Sequence, residues 1–215
     1  MKKLITERDV LDALKKGSRQ IVISTDGIVT PAARDAAKSR NIAISSLSPS
    51  AILQSSNTNP DSSAIERVVL GCDHGGYAMK AELLPFLEKL GYKTEDVGAY
   101  STDPVDYPDY AHQVAQRVAR DPSVVGIVID GAGVGSAMSA NKVPGIRAAA
   151  CYDVQTARNS REHNFANVLT LGSRITALDI AKEIVRVWLQ TPYGAERHKM
   201  RVDKIMQIES TYLNG

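Results

Sequence analysis

From Glu66 to the C-terminus, short apolar runs alternate with amphipathic stretches of helix length. The runs Arg67–Gly71, Lys93–Val97, Val124–Asp130, Arg147–Cys151 and Asn167–Leu171 read as five strands. Helices fill the intervals at Tyr77–Leu90, Asp109–Arg120, Ser136–Asn141, Asp153–Glu162 and Ala177–Gln190, with a last one from about Glu196. Such alternation is the signature of βαβ units around a parallel sheet. The first, third and fifth runs are apolar enough to be buried on both faces. The pattern predicts an α/β fold with a doubly wound (Rossmann-like) five-stranded parallel sheet over residues 66–215. Ligands of such sheets sit beyond the carboxyl ends of the strands.

Upstream the pattern is weaker. Residues 1–48 form a small N-terminal module with a helix over Arg8–Lys16, capped by Thr6 and stopped by Gly17. A strand at Gln20–Ser24, a helix opened by Pro31 and a strand at Ile42–Ile44 follow. So short a module makes only a marginal core alone. The Ser-, Asn- and Pro-rich stretch Ser45–Ala64 reads as a flexible linker, which divides the chain into a module at 1–48, a linker at 49–65 and a domain at 66–215.

Composition narrows the chemistry. At 215 residues the chain holds one sizeable α/β domain and an appendage. Lys+Arg 26 against Asp+Glu 24 leaves a formal charge of +2, too small for a sequence-independent grip on nucleic acid or an anionic membrane. Phosphate selectivity must then be local. Cys72 and Cys151 lie far apart in strand-like surroundings, which offers neither a disulfide framework nor a zinc spacing and fits a reducing cytoplasm. No stretch approaches the roughly 20 apolar residues of a spanning helix.

Candidate chemistry gathers after the strands. The first ends in Gly71-Cys72-Asp73-His74-Gly75-Gly76, which suits hydroxyl and phosphate binding, or else forms a capped turn with an exposed histidine. The third runs into Asp130-Gly131-Ala132-Gly133-Val134-Gly135-Ser136, whose N–H groups can converge on an oxyanion or phosphate. Dinucleotide binding competes, because Asp153 lies near the next strand's end where it could meet a ribose hydroxyl. Against it, the spacing is GxGxG and the loop follows the third strand. His163 closes the helix before strand five, beside the expected ligand edge, and that strand ends at Gly172-Ser173-Arg174. Arg197, His198, Lys199 and Arg201 crowd positive charge at the start of the last helix, either as a solvated face or as a phosphate clamp.

In this order GCDHGG, VDYPDYA, DGAGVGSAMSANKVPGIRAA, REHNFANVLTLGSR and ERHKMRVDKI resemble the family of ribose-5-phosphate isomerase B and the galactose-6-phosphate isomerase subunits. The resemblance covers about Glu66 to Ser210. It implies metal-free, cofactor-free aldose–ketose isomerisation of a small phosphorylated sugar, in a homodimer or dimer of dimers whose sites lie at the subunit interface. It implies roles too. Asp73, His74 and Tyr107 lie near the sugar, the loop Gly131, Ala132, Gly133, Val134 and Gly135 forms an anion hole, and His163 opens the sugar ring. Asn164 lies beside the substrate, and Arg174, Arg197 and Arg201 bind phosphate, some of these coming from a neighbouring chain. Many members carry a cysteine base where this chain has Asp130 and a threonine at Ala132. Others use a glutamate that aligns with Ser136. With neither base present, Asp130, at the end of an apolar strand, is expected to take over.

The first 48 residues are similar to the leader on enzymes of bacterial microcompartments, through ITERDV and IVTPAARDAAK. That similarity implies delivery to a protein shell, against a plain dimerisation or folding appendage. Two alternatives to the isomerase stay open. One is a family member that binds sugar phosphates or serves as shell cargo without isomerising, and the other is a dinucleotide enzyme.

Overall fold

The computed structural model describes residues 4–15, 20–24, 28–40, 42–47 and 65–213. The chain divides into two compact units, Met1–Thr58 and Asn59–Gly215.

In the first unit the order is β1 (Leu4–Ile5), α1 (Glu7–Lys15), β2 (Gln20–Ser24), β3 (Ile28–Val29), α2 (Pro31–Ser39) and β4 (Ala43–Leu47). β1 pairs with β3 and β2 with β4, both in parallel. Thr6 starts α1, its carbonyl oxygen accepting from the N–H groups of Asp9 and Val10. Thr30 caps α2 by accepting from Ala33 N at 3.2 Å, with Pro31 supplying the preset φ of a first helical residue. Ile5, Val10, Ala33, Ala36, Ala37 and Ile42 are buried together. β4 runs through Ser45–Leu47, which composition had assigned to the linker. Residues 48–64, the rest of the expected linker, lie outside the described residues. Ile65, its expected last residue, is buried in the second unit's core.

The second unit comprises β5 (Arg67–Cys72), α3 (Tyr77–Lys89), β6 (Lys93–Asp96), α4 (Tyr107–Arg120), β7 (Val124–Asp130), α5 (Val134–Ala140), β8 (Ala148–Ala150), α6 (Val154–Asn164), β9 (Val168–Gly172), α7 (Leu178–Gln190) and α8 (Glu196–Leu213). Its sheet is five-stranded and parallel in the order β6-β5-β7-β9-β8. Alternate residues of β5 enter different cores. Val68 and Leu70 pack with Leu83, Leu87, Ile184 and Trp188 of α3 and α7, while Val69 packs with Val114 and Val118 of α4. Helices thus cover both faces, and β7 is buried along its whole length. α4 lies so close to the sheet that a Cβ on Gly126 would stand 2.4 Å from Val114 Cγ1. The chain turns one way from β5 to β6 and the other way from β5 to β7. The carboxyl ends of β5 and β7 therefore flank the switch point where doubly wound sheets bind ligands.

Candidate functional site

Three strand ends build the carboxyl edge. β5 delivers Asp73 and His74, β7 the loop from Gly131, and β9 Ser173 and Arg174. The Ser173 hydroxyl lies within hydrogen-bond reach of the carbonyl oxygens of Gly75 (2.9 Å) and Asp130 (3.0 Å), so one side chain ties the two loops across the switch point. Asp73 is 8% exposed, and its Oδ1 accepts from Gly76 N at 2.9 Å. His74 Nδ1 is held by the backbone of Val105, 3.2 Å from its nitrogen and 3.3 Å from its oxygen. Tyr107, at the start of α4, lies against the loop, where a Cβ on Gly135 would be 2.6 Å from its ring. Arg174 N donates to Gly131 O at 3.1 Å, and its exposed side chain extends beside that glycine.

Asp130 requires a correction. It is 4% exposed, and both carboxylate oxygens are occupied. Oδ1 accepts from the N–H groups of Ala132 (2.7 Å) and Gly133, while Oδ2 accepts from Ser136 N (3.0 Å) and Ser136 Oγ (2.5 Å). A carboxylate accepting four donors is an internal anchor for the loop, not an available base. The anion-hole reading changes with it, because the amides of Ala132, Gly133 and Ser136 point inward at Asp130. Gly133 completes the turn at φ 80°, a conformation that glycine adopts without steric cost. Cys72 is fully buried, and burial is the main cause that pushes its thiol up to about 11.

A second group lies elsewhere. His163 and Asn164 end α6, which returns from the carboxyl end of β8 to the amino end of β9. His163 therefore sits toward the amino edge of the sheet, not beside the ligand edge as its sequence position suggested. Its ring stacks on His198 of α8, with centroids 4.1 Å apart and planes at 8°. Asn159 Nδ2 lies 2.9 Å from His163 Nδ1 and its Oδ1 accepts from Asn164 Nδ2 at 3.2 Å. Arg197 Nε donates to His198 Nε2 at 3.2 Å, which calls for a neutral imidazole with its proton on Nδ1. Desolvation first, then the proximity of His163 and of the Arg197 and Arg201 guanidinium groups, lower the His198 pKa, with Glu162 opposing. Asn159, His163, Asn164, Arg197, His198 and Arg201 line a recess of about 560 Å³ with no carboxylate among them. Such a lining suits an anionic group.

The turn before α8 is docked on the last turn of α6. The Arg161 guanidinium lies between Trp188 (4.8 Å) and Tyr193 (4.4 Å), and Gly194 N donates to Glu162 O at 2.9 Å. Sequence reasoning gave no separate role to His198, Ser173 or Arg161. For His198 the signal was present, three residues before Arg201 and so on the same helix face.

The acidic residue of the dinucleotide alternative caps a helix. The Asp153 carboxylate accepts from Thr156 N at 2.8 Å in a capping box at the start of α6. Among the described residues no cluster of His, Cys, Asp and Glu could hold a metal ion, and no helix is long and apolar enough to cross a membrane.

Comparison with known proteins agrees with this architecture. The profile of the Ribose/Galactose Isomerase family matches residues 68–205. Ribose-5-phosphate isomerase B of Escherichia coli is 43% identical over 145 residues, 67% of this chain and 97% of that protein. Among solved structures, Clostridium thermocellum ribose-5-phosphate isomerase B aligns with a TM-score of 0.65 at 47% identity, covering 68% of this chain and 99% of that one. The Mycoplasma genitalium ribose-5-phosphate isomerase B with bound ribulose-5-phosphate gives 0.65 at 36%, covering 67% and 96%.

Proposed function

The chain belongs to the ribose/galactose isomerase family, and on that premise we propose that it interconverts an aldose phosphate and a ketose phosphate, of the ribose 5-phosphate and ribulose 5-phosphate type, through an enediolate. The observation that carries the proposal is the recess of Arg197, Arg201 and the stacked histidines, whose lining brings two guanidinium groups together and includes no carboxylate, the nearby Glu162 lying 3.8 Å from His163 Nε2. Phosphate bound there would fix one end of the sugar. Asp73, His74 and Tyr107, at the carboxyl edge of another copy, would meet the carbonyl end. The two groups lie toward opposite edges of one sheet, so a complete site calls for two protomers, each lending one half. In that arrangement His163 opens the sugar ring, Asn164 orients the open chain and Arg174 adds positive charge at the loop. Asp130 holds the loop in shape. Residues 1–48 deliver the enzyme to a microcompartment shell within the cytoplasm.

One observation favours a second reading, a family member that binds sugar phosphates without isomerising them: Asp130 has filled the loop's inward amides. Incubating the protein with ribose 5-phosphate in deuterated water, followed by NMR, separates the two. The isomerase reading expects ribulose 5-phosphate to appear. A raised melting temperature with no conversion would establish the binder instead.

A further inference from the structure

An aldose–ketose isomerase needs a base in reach of the carbon beside the carbonyl. Counting lone pairs at the carboxyl edge narrows the choice. Cys72 is fully buried with Sγ facing Ala99 O at 3.8 Å, and its raised pKa leaves it a thiol at neutral pH. Asp96 Oδ1 is held by the Lys80 ammonium and by Gly98 N at 2.9 Å. Asp130 accepts four donors. His74 has Nδ1 committed to Val105. Asp106 and Asp109 are exposed at the start of α4.

Asp96 Oδ2 and His74 Nε2 are also without a partner among the described residues, but Asp96 is paired with the Lys80 ammonium. Asp73, in contrast, is a buried carboxylate with neither a cationic partner nor a full set of donors. Its Oδ1 takes the single N–H of Gly76, and its Oδ2 meets no donor among the described residues. Its backbone N donates to Ile129 O at 3.1 Å, which fixes it across the switch point from the end of β7. At 8% exposure it is largely shielded from water yet carries an uncommitted carboxylate oxygen at the ligand edge. Resting on the isomerase reading, we propose that Asp73 is the catalytic base in this chain, which lacks the cysteine and glutamate of its relatives.

The step balances within substrate and side chain. Asp73 Oδ2 takes the proton from C2 of the open-chain aldose. The C2–H electron pair becomes the C1=C2 bond as the carbonyl π pair moves onto O1. A proton passes from the C2 hydroxyl to O1. The Asp73 carboxylic acid then returns its proton to C1 as the lone pair on O2 forms the ketone. No further reactant enters.

Asp73→Asn and Asp73→Ala in the full chain test this, with ribose 5-phosphate as the probe. Asp73→Asn should keep the substrate-induced rise in melting temperature and lose at least roughly 100-fold in kcat. Asp73→Ala should regain turnover with added formate, a carboxylate small enough to enter the space. A merely structural or sugar-binding role would not give that rescue. Asp73→Asn within tenfold of the parent kcat, or formate rescuing Asp130→Ala but not Asp73→Ala, would overturn the assignment. No conversion by the parent protein would overturn the isomerase reading itself, a failure distinct from the loss of Asp73 alone.

Discussion

At the residue scale, buried polar groups decide most. Asp130→Asn keeps the shape but sets an amide NH₂ group against at least one present donor. Leaving buried N–H or O–H groups unpaired costs about 1–3 kcal/mol. A lower denaturant midpoint with an unchanged slope is expected, and unchanged stability would mean that the loop does not depend on this carboxylate. Cys72 gives a pH prediction. Its folded pKa lies near 11 against an ordinary 9.0, so the folded state holds this proton more tightly than the unfolded chain. The resulting stability is fully present below pH 9 and is lost as pH rises toward 11. Alkylation of Cys72 by iodoacetamide at pH 8 should be slow in the native protein and fast in denaturant, and rapid native labelling would contradict the burial. The sequence placed Asp130 at the head of the loop, but not the direction of its carboxylate. That direction is set by where Ala132, Gly133 and Ser136 aim their N–H groups, and only the folded loop fixes it.

At the scale of elements, β7 and α4 set the tightest contact. Gly126→Ala would press a methyl group into Val114 and also toward Val118 and Val168, 3.2 Å from each. Overpacking of this kind costs about 1–3 kcal/mol, read as a lower melting temperature. α6 gives a second expectation. Hydrogen bonds from Thr156 N lead the causes that hold the Asp153 carboxyl below its ordinary value. Its contribution to the cap is therefore full above about pH 3.8 and falls away as pH drops through the depressed value. Asp153→Ala should flatten this acid limb in a titration of stability against pH. The alternating pattern located all five strands of the second unit; four are apolar runs bounded by turn residues, while β6 is the polar edge segment Lys93–Asp96. The pattern missed β1 and β3, since two residues show no period. α4 and α5 begin two residues earlier than the pattern suggested, at Tyr107 and Val134, where loop and first turn look alike in sequence. The position of His163 was legible in principle, since a helix joining parallel strands must end at the amino edge.

At the scale of the whole molecule, the proposed function divides its residues between two groups toward opposite edges of the sheet and so predicts a shared site. The family match begins at residue 68 and leaves the first unit outside it. Removing residues before Ile65, which belongs to the second unit's core, should therefore leave folding and turnover intact while abolishing co-sedimentation with shell proteins. Lost turnover in the truncated protein would place the first unit in the active assembly. The shared site has a direct test. Asp73→Ala disables the carboxyl-edge half and His163→Ala the recess half, so each variant alone should be inactive. When the two are unfolded together and refolded at equal amounts, about half of the dimers are mixed, and each of these contains one site with both halves intact. Recovery of about a quarter of parent turnover is the expected result. No recovery above the separate variants, with mixed dimers confirmed by mass spectrometry, would show that each site lies within one chain.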